Sequence, residues 1–140
     1  MRPSVTIAIP TRNRPRFLRA ALASALAAAG PDDQVVVSDN ASTDETAGLL
    51  AAITDPRVTV IRHSFDLGMV GNWNACLGAA RGEYFLLLSD DDLVTPDAVA
   101  LLAPTLADPL VAFAYGRTRV VDEQGRERTI KSLFKTYIQA

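Results

Sequence analysis

Short apolar runs rich in β-branched residues recur along the chain, and each is followed by a segment with helical spacing. This alternation limits the possible folds more than any other feature of the sequence. Val5 to Ile9, ended by Pro10, reads as a buried strand, and so does Gln34 to Ser38 around Val35-Val36-Val37. Arg57 to Arg62, with Val58 and Val60 alternating, Tyr84 to Leu88, and Leu110 to Tyr115 read the same way. The first helical segment is alanine-rich, has Pro15 in its opening turn and stops at Gly30-Pro31. The second is expected from about Thr43 to Ile53, behind a capping box at Ser42-Thr43-Asp44-Glu45. The third puts Met69, Trp73, Cys76, Leu77 and Ala80 on one face and ends near Gly82; the fourth opens at Thr95-Pro96-Asp97. Arg117 to Asp122 and Arg126 to Lys131 flank Glu123-Gln124-Gly125 and predict a hairpin. The order implies an α/β fold: a mostly parallel sheet flanked by helices on both faces.

Composition narrows the function classes. The chain has 140 residues, with 14 Lys and Arg against 16 Asp and Glu, a net charge of -2. That leaves no basic excess for a phosphate backbone, so nucleic acid is not an expected partner. One cysteine makes no internal disulfide, and one Cys with one His makes no structural zinc site. The longest small-apolar run, Leu18 to Gly30, is broken by Arg19 and is too short for a transmembrane segment. Pro3 and Ser4 lead directly into the first strand, unlike a signal peptide. The expectation is a cytoplasmic protein, soluble or peripheral to a membrane.

In open α/β sheets, ligands bind beyond the carboxyl ends of the strands. Three polar segments stand there: Pro10-Thr11-Arg12-Asn13-Arg14 after the first strand, Asp39-Asn40-Ala41-Ser42-Thr43-Asp44 after the second, and Ser89-Asp90-Asp91-Asp92 after the fourth. The three consecutive aspartates repel one another, and nothing beside them in sequence neutralises them. Mn²⁺ or Mg²⁺, bound by carboxylates, waters and substrate phosphate, would do so. The alternative is an acidic helix start favoured by the macrodipole, for which one acid would suffice. Asp39 fits an Asx turn or an acceptor for a base or ribose equally well. Arg12 and Arg14 fit phosphate, or pairing with Asp32, Asp33 or Asp39. Trp73 and Cys76 read as packed apolar residues and His63 as an exposed loop residue. No G-x-G-x-x-G follows the first strand, and no G-x-x-x-x-G-K-[ST] occurs. A phosphoacceptor receiver domain would want an acidic pair after the first strand and a lysine after the last. Thr11-Arg12-Asn13 and Gly116-Arg117 stand there instead.

Three segments together resemble family 2 glycosyltransferases of the GT-A fold. They are Val5 to Arg14, Val36 to Thr46, and Gly82 to Asp92 with Pro96-Asp97 following; the likeness spans about residues 4 to 122. The resemblance implies a nucleotide-diphosphate-sugar donor, a UDP-sugar first, and an unknown acceptor. It implies that Thr11 and Asp39 contact the base and ribose, that Asp91 is the principal ligand of Mn²⁺ or Mg²⁺ with Asp92 beside it, and that Asp90 lies by the ribose or the ion. Pro10, Arg12, Asn13, Arg14 and Asn40 join the nucleotide-binding set, with Gly68 and Asn72 from the segment Gly68 to Asn74. Ser89 stands where the D-x-D pattern has its first aspartate. Such enzymes invert at the anomeric carbon and use a carboxylate base. After residue 122 the only acids are Glu123 and Glu127, so the base is expected outside this chain. The expected division is a donor-binding core over residues 1–122 and the start of an acceptor side over 123–140. A nucleotide-sugar binding module without turnover is the alternative. Leu133, Phe134, Tyr137 and Ile138 are expected either to mediate self-association or to lie in a disordered tail.

Overall fold

Four parallel strands form the centre of the computed structural model, which describes residues 4–122, 124 and 126–128. They are β1 (Val5–Thr11), β2 (Gln34–Asp39), β3 (Val58–Arg62) and β4 (Tyr84–Leu87), in the order β3-β2-β1-β4. Successive side chains alternate between the two faces of a strand, and both faces here are covered. Ile7, Ile9, Val35 and Val37 pack on one side against Leu18, Leu22 and Ala25 of α1 (Pro15–Ala28), Leu50 of α2 (Thr46–Ala51) and Val99 of α4 (Ala98–Leu102). Ala8 and Val36 on the other side pack against Cys76 of α3 (Gly68–Gly78), with Ile61 and Phe85 around them. Each fully buried Ile, Leu or Val contributes roughly 1.5–3 kcal/mol. Among the described residues, no helix is long and apolar enough to cross a membrane.

β1 runs on through Pro10 to Thr11, past the expected stop. Proline has no N–H to give, and the β1–β4 ladder ends before it, at Ala8↔Leu87. Pairing with β2 continues to Thr11↔Asp39. Three further expectations are corrected. The Leu110–Tyr115 segment is not a strand: residues 111–120 carry no regular structure. A strand needs a ladder partner, and this segment has none among the described residues. The expected hairpin appears as one antiparallel bridge, Val121↔Glu127, flanked by backbone hydrogen bonds from the Asp122 N–H to the Arg126 carbonyl at 2.9 Å and from the Arg128 N–H to the Val120 carbonyl at 2.8 Å; its residues 123, 125 and 129–131, and the apolar set Leu133, Phe134, Tyr137 and Ile138, lie outside the described residues. The capping box at Ser42 does not form, and α2 starts at Thr46. Ser42 Oγ instead accepts from the Asn13 N–H at 2.8 Å, and Asp44 Oδ1 accepts from the Thr46 N–H at 2.9 Å.

The end of α1 is closed from a distance. Arg57 Nη1 donates to the carbonyls of Ala29 at 2.7 Å and Leu26 at 3.3 Å, which α1 leaves without helical partners. Asp55 holds that guanidinium through Nη2 at 2.8 Å and Nε at 3.1 Å. The Arg57 side chain, with its backbone N–H, pulls the Asp55 carboxyl down to about 2 from 3.8. Because the folded pKa is depressed, the stabilisation is present above about pH 4 and lost as pH falls towards 2. We expect Asp55→Asn to flatten the acid limb of the unfolding profile in that window. Thermal unfolding of both proteins between pH 2 and 5 measures this; parallel limbs would refute it.

Candidate functional site

The parallel register brings the polar segments to one edge. Thr11 pairs with Asp39, and Asp39 pairs with Arg62 on β3. The segment after β4 closes on the same edge, where Thr11 Oγ1 donates to Asp90 Oδ2 at 2.8 Å. Asp90 is buried; Asp91 and Asp92 are exposed.

The aspartates have a neutralising partner that adjacency in sequence did not reveal. Arg14 Nη1 lies 3.2 Å from Asp90 Oδ1 and 3.1 Å from Asp91 Oδ2. The charge of Asp90, foremost, raises the Arg14 pKa above its ordinary value. Arg12 pairs with Asp66, so neither arginine pairs with Asp32, Asp33 or Asp39. Asp92 donates its N–H to the Ser89 carbonyl at 3.0 Å and makes no ion pair among the described residues. Asp90 and Asp91 are therefore brought together, and Asp92 is not joined to them. Among the described residues no three His, Cys, Asp or Glu side chains gather as a ready metal cage.

Asp39 is fully buried. Its Oδ1 accepts from the Ser42 N–H at 3.0 Å, which forms the Asx turn, and its Oδ2 accepts from Arg62 Nε at 3.0 Å. The turn takes Ala41 to φ 57°, a left-handed conformation that costs a side chain other than glycine roughly 1 kcal/mol. Asn13, at φ 52°, ties the first two loops together. Its N–H reaches Ser42 Oγ and its Oδ1 accepts from the Thr43 N–H, each at 2.8 Å.

A third loop, after β3, is tied in by Asp66. Its Oδ1 accepts from Asn40 Nδ2 at 2.6 Å and from the Gly68 N–H at 2.8 Å, and its Oδ2 accepts from Arg12. The Gly68 N–H, then Asn40 and Arg12, hold the Asp66 carboxyl below its ordinary range. Asn40 Oδ1 accepts from the Leu67 N–H at 2.8 Å. Gly68, at φ 68°, makes the turn into α3, where only glycine is unstrained. Asp66 follows β3, so the carboxyl-end rule points to it, whereas Arg62 is the last residue of that strand and nothing in the sequence marks it as the partner of Asp39.

α3 presents a different face from the expected one. Asn72 and Cys76 are buried, whereas Met69, Trp73 and Leu77 are exposed, Trp73 at 39%. Asn72 sets that rotation: its Oδ1 accepts from Ser38 Oγ at 2.6 Å and its Nδ2 donates to the Ser38 carbonyl at 3.1 Å. Trp73 is thus not a core residue. His63 is half-buried, with Nε2 3.0 Å from Ser38 Oγ, so it belongs to this polar floor and not to an exposed loop. Cys76 is packed as expected, and burial pushes its thiol up to about 11. Pro10 is in β1 beneath the loops.

An α/β sheet whose carboxyl edge gathers Thr11, Asp39, Asp90 and Asp91 has the architecture of a nucleotide-diphospho-sugar transferase, the GT-A fold. The family profile described as "Glycosyl transferase family 2" matches residues 6–139, and the chain belongs to that family. It is 43% identical over 95 residues to the succinoglycan biosynthesis protein ExoO of Rhizobium meliloti (strain 1021), covering 68% of this chain and 27% of ExoO. Among solved structures, the mannosyltransferase PcManGT from Pyrobaculum calidifontis, in complex with GDP-Man and Mn²⁺, superposes with a TM-score of 0.70 at 31% identity. That match covers 79% of this chain and 34% of PcManGT. S. aureus TarS 1-349 in complex with UDP superposes with a TM-score of 0.61 at 25% identity, over 76% of this chain and 30% of TarS. The chain spans about a third or less of the length of these relatives.

Proposed function

We propose that this chain is the donor-binding part of an inverting, metal-dependent glycosyltransferase, with residues 1–122 as the donor-binding core and 123–140 opening the acceptor side. The observation that carries this reading is the convergence of Asp90 Oδ1 and Asp91 Oδ2 on one cation position, 3.2 and 3.1 Å from a single nitrogen. Hard oxygen donors at one point fit Mn²⁺ or Mg²⁺, and two protein ligands leave positions for waters and phosphate, as such ions prefer. When bound, the ion offsets the charge of the departing diphosphate. Complexes of similar proteins with GDP-Man and Mn²⁺, and with UDP, support a nucleoside-diphosphate-sugar donor.

The chain's own residues bind and orient. Thr11 fixes Asp90, while Asp39 and Thr11 stand side by side where the nucleoside is proposed to lie. Asp39 Oδ2 accepts one hydrogen bond, from Arg62 Nε, and keeps a second lone pair for a ligand donor. Arg12, Asn13, Asn40 and Gly68 shape the loops around it, and Asn72 fixes α3 beneath. In the transfer, the acceptor oxygen bonds to the anomeric carbon as the carbon–oxygen bond to the diphosphate breaks. The acceptor proton goes to a base, which we place outside these residues: Glu127 is exposed and faces Arg119 at 3.8 Å.

Calorimetric titration of UDP and GDP in Mn²⁺, Mg²⁺ and EDTA tests the donor site. A diphosphate beside two carboxylates costs on the order of 1–4 kcal/mol per like-charge pair. Binding is expected to be on the order of 10- to 100-fold tighter with metal, and Asp91→Asn to remove most of that gain. Equal affinity in Mn²⁺ and EDTA would sink the metal role, and a mutant with the full gain would sink Asp91. Release of UDP or GDP from the corresponding sugar nucleotide separates transfer from binding alone.

A further inference from the structure

Arg14 occupies the Asp90–Asp91 pair, and the role assigned to it here rests on the metal reading above. One nitrogen of Arg14 serves both carboxylates. Arginine stays charged at any pH at which the protein is folded, so this nitrogen and a divalent ion compete for the one position between the two oxygens. We propose that Arg14 is a resident counter-cation: it holds the Asp90–Asp91 position until a divalent cation displaces it, and the displaced guanidinium then turns to the donor's diphosphate.

The local structure permits that exchange at little cost. The Arg14 backbone is fixed, because its carbonyl accepts from the Leu18 N–H at 2.9 Å at the start of α1. Its side chain is half-exposed, so moving it uncovers no core. Asp90 keeps its orientation when Arg14 leaves, since Thr11 Oγ1 holds the other carboxylate oxygen at 2.8 Å. Arg12 is no substitute, being committed to Asp66. Metal alone should then bind weakly, and metal with diphosphate cooperatively, because each helps to move the same guanidinium. Linkage makes the enhancement equal in both directions.

Electron paramagnetic resonance of free Mn²⁺ tests this on the wild-type chain, Arg14→Gln, Arg14→Met and Arg14→Lys, each without nucleotide and with UDP or GDP. The two neutral variants are expected to bind Mn²⁺ alone about 5- to 20-fold more tightly than wild type and to show a smaller nucleotide enhancement. Arg14→Lys should fall between wild type and the neutral variants, because it keeps a competing cation of different reach and shape. The Met variant keeps the aliphatic stem, so the result does not depend on one substitution folding. Wild-type affinity in the neutral variants, or weaker, would overturn the proposal while leaving the metal site standing. So would a Lys variant as tight as the Gln variant. Absence of Mn²⁺ binding in every variant, with and without nucleotide, would overturn the metal reading and this proposal together.

Discussion

Gly82→Ala is expected to destabilise the protein by about 2–4 kcal/mol, although it adds a single methyl group. A Cβ at Gly82 would lie 2.5 Å from the Thr6 nitrogen, 2.7 Å from the Val5 carbonyl carbon and 3.0 Å from Thr6 Oγ1. The first two obstacles are the backbone of β1, which is paired on both sides, to β2 and to β4. It cannot give way as a flexible side chain would. The same approach delivers the Gly82 N–H to Thr6 Oγ1 at 2.9 Å and the Arg81 N–H to Gln34 Oε1 at 2.9 Å. Thr6 Oγ1 in turn donates to Gln34 Oε1 at 2.9 Å. Pushing the turn away costs the Arg81 and Gly82 N–H groups these acceptors, while Thr6 and Gln34 keep only their bond to each other there. Gly48→Ala is the matched control: its Cβ would meet nothing within 4 Å, and it should stabilise α2 by about 0.5–1 kcal/mol. Urea unfolding of the three proteins measures both effects. A Gly82→Ala midpoint at the wild-type value would mean that the turn relaxes without loss.

The sheet was legible in the sequence because its two central strands, β1 and β2, are buried on both faces. Val35-Val36-Val37 has nowhere else to go, and the helical spacing between such runs leaves a parallel sheet as the consistent arrangement. The carboxyl-end rule then located Thr11, Asp39 and the aspartates. What sequence could not supply was partnership across distance. Ser42 looked like a local cap and was taken by Asn13, 29 residues earlier. The triple aspartate looked uncompensated until the fold brought Arg14 to it from 76 residues away. α3 shows the same limit. Its apolar residues suggested a buried stripe, yet one polar pair, Asn72 with Ser38, sets the rotation and leaves Trp73 outside. Leu110–Tyr115 has strand composition, but composition does not provide a neighbouring strand.

Asp39→Ala is expected to weaken both the fold and nucleotide binding, and the two losses can be separated. The carboxylate is fully buried and accepts two hydrogen bonds, from the Ser42 N–H and from Arg62, each at 3.0 Å. Hydrogen bonds to a charged group are worth about 1.5–3 kcal/mol each, and a buried donor left without one adds its own desolvation. Arg62 is half-exposed and recovers part of its loss from water, so the net cost should be about 2–4 kcal/mol. The damage spreads. Without the Asp39 carboxylate the turn that keeps Ala41 left-handed loses its side-chain bond to the Ser42 N–H and rests on the Ala41–Asp39 backbone bond and the Asn13 contacts alone. Loosening those contacts frees the first loop from the second. Asp39→Asn separates anchoring from ligand contact. An amide oxygen still accepts from Ser42, so the turn survives at a loss of about 1 kcal/mol. If Asp39 serves only as an anchor, the Asn variant should bind UDP or GDP nearly as wild type does. If its carboxylate accepts from the nucleoside, binding should fall by about tenfold or more in a protein that still folds, since a hydrogen bond to a charged group is lost. Unfolding midpoints and nucleotide titrations on the two variants decide between these roles, and a wild-type midpoint for Asp39→Ala would refute the anchoring role.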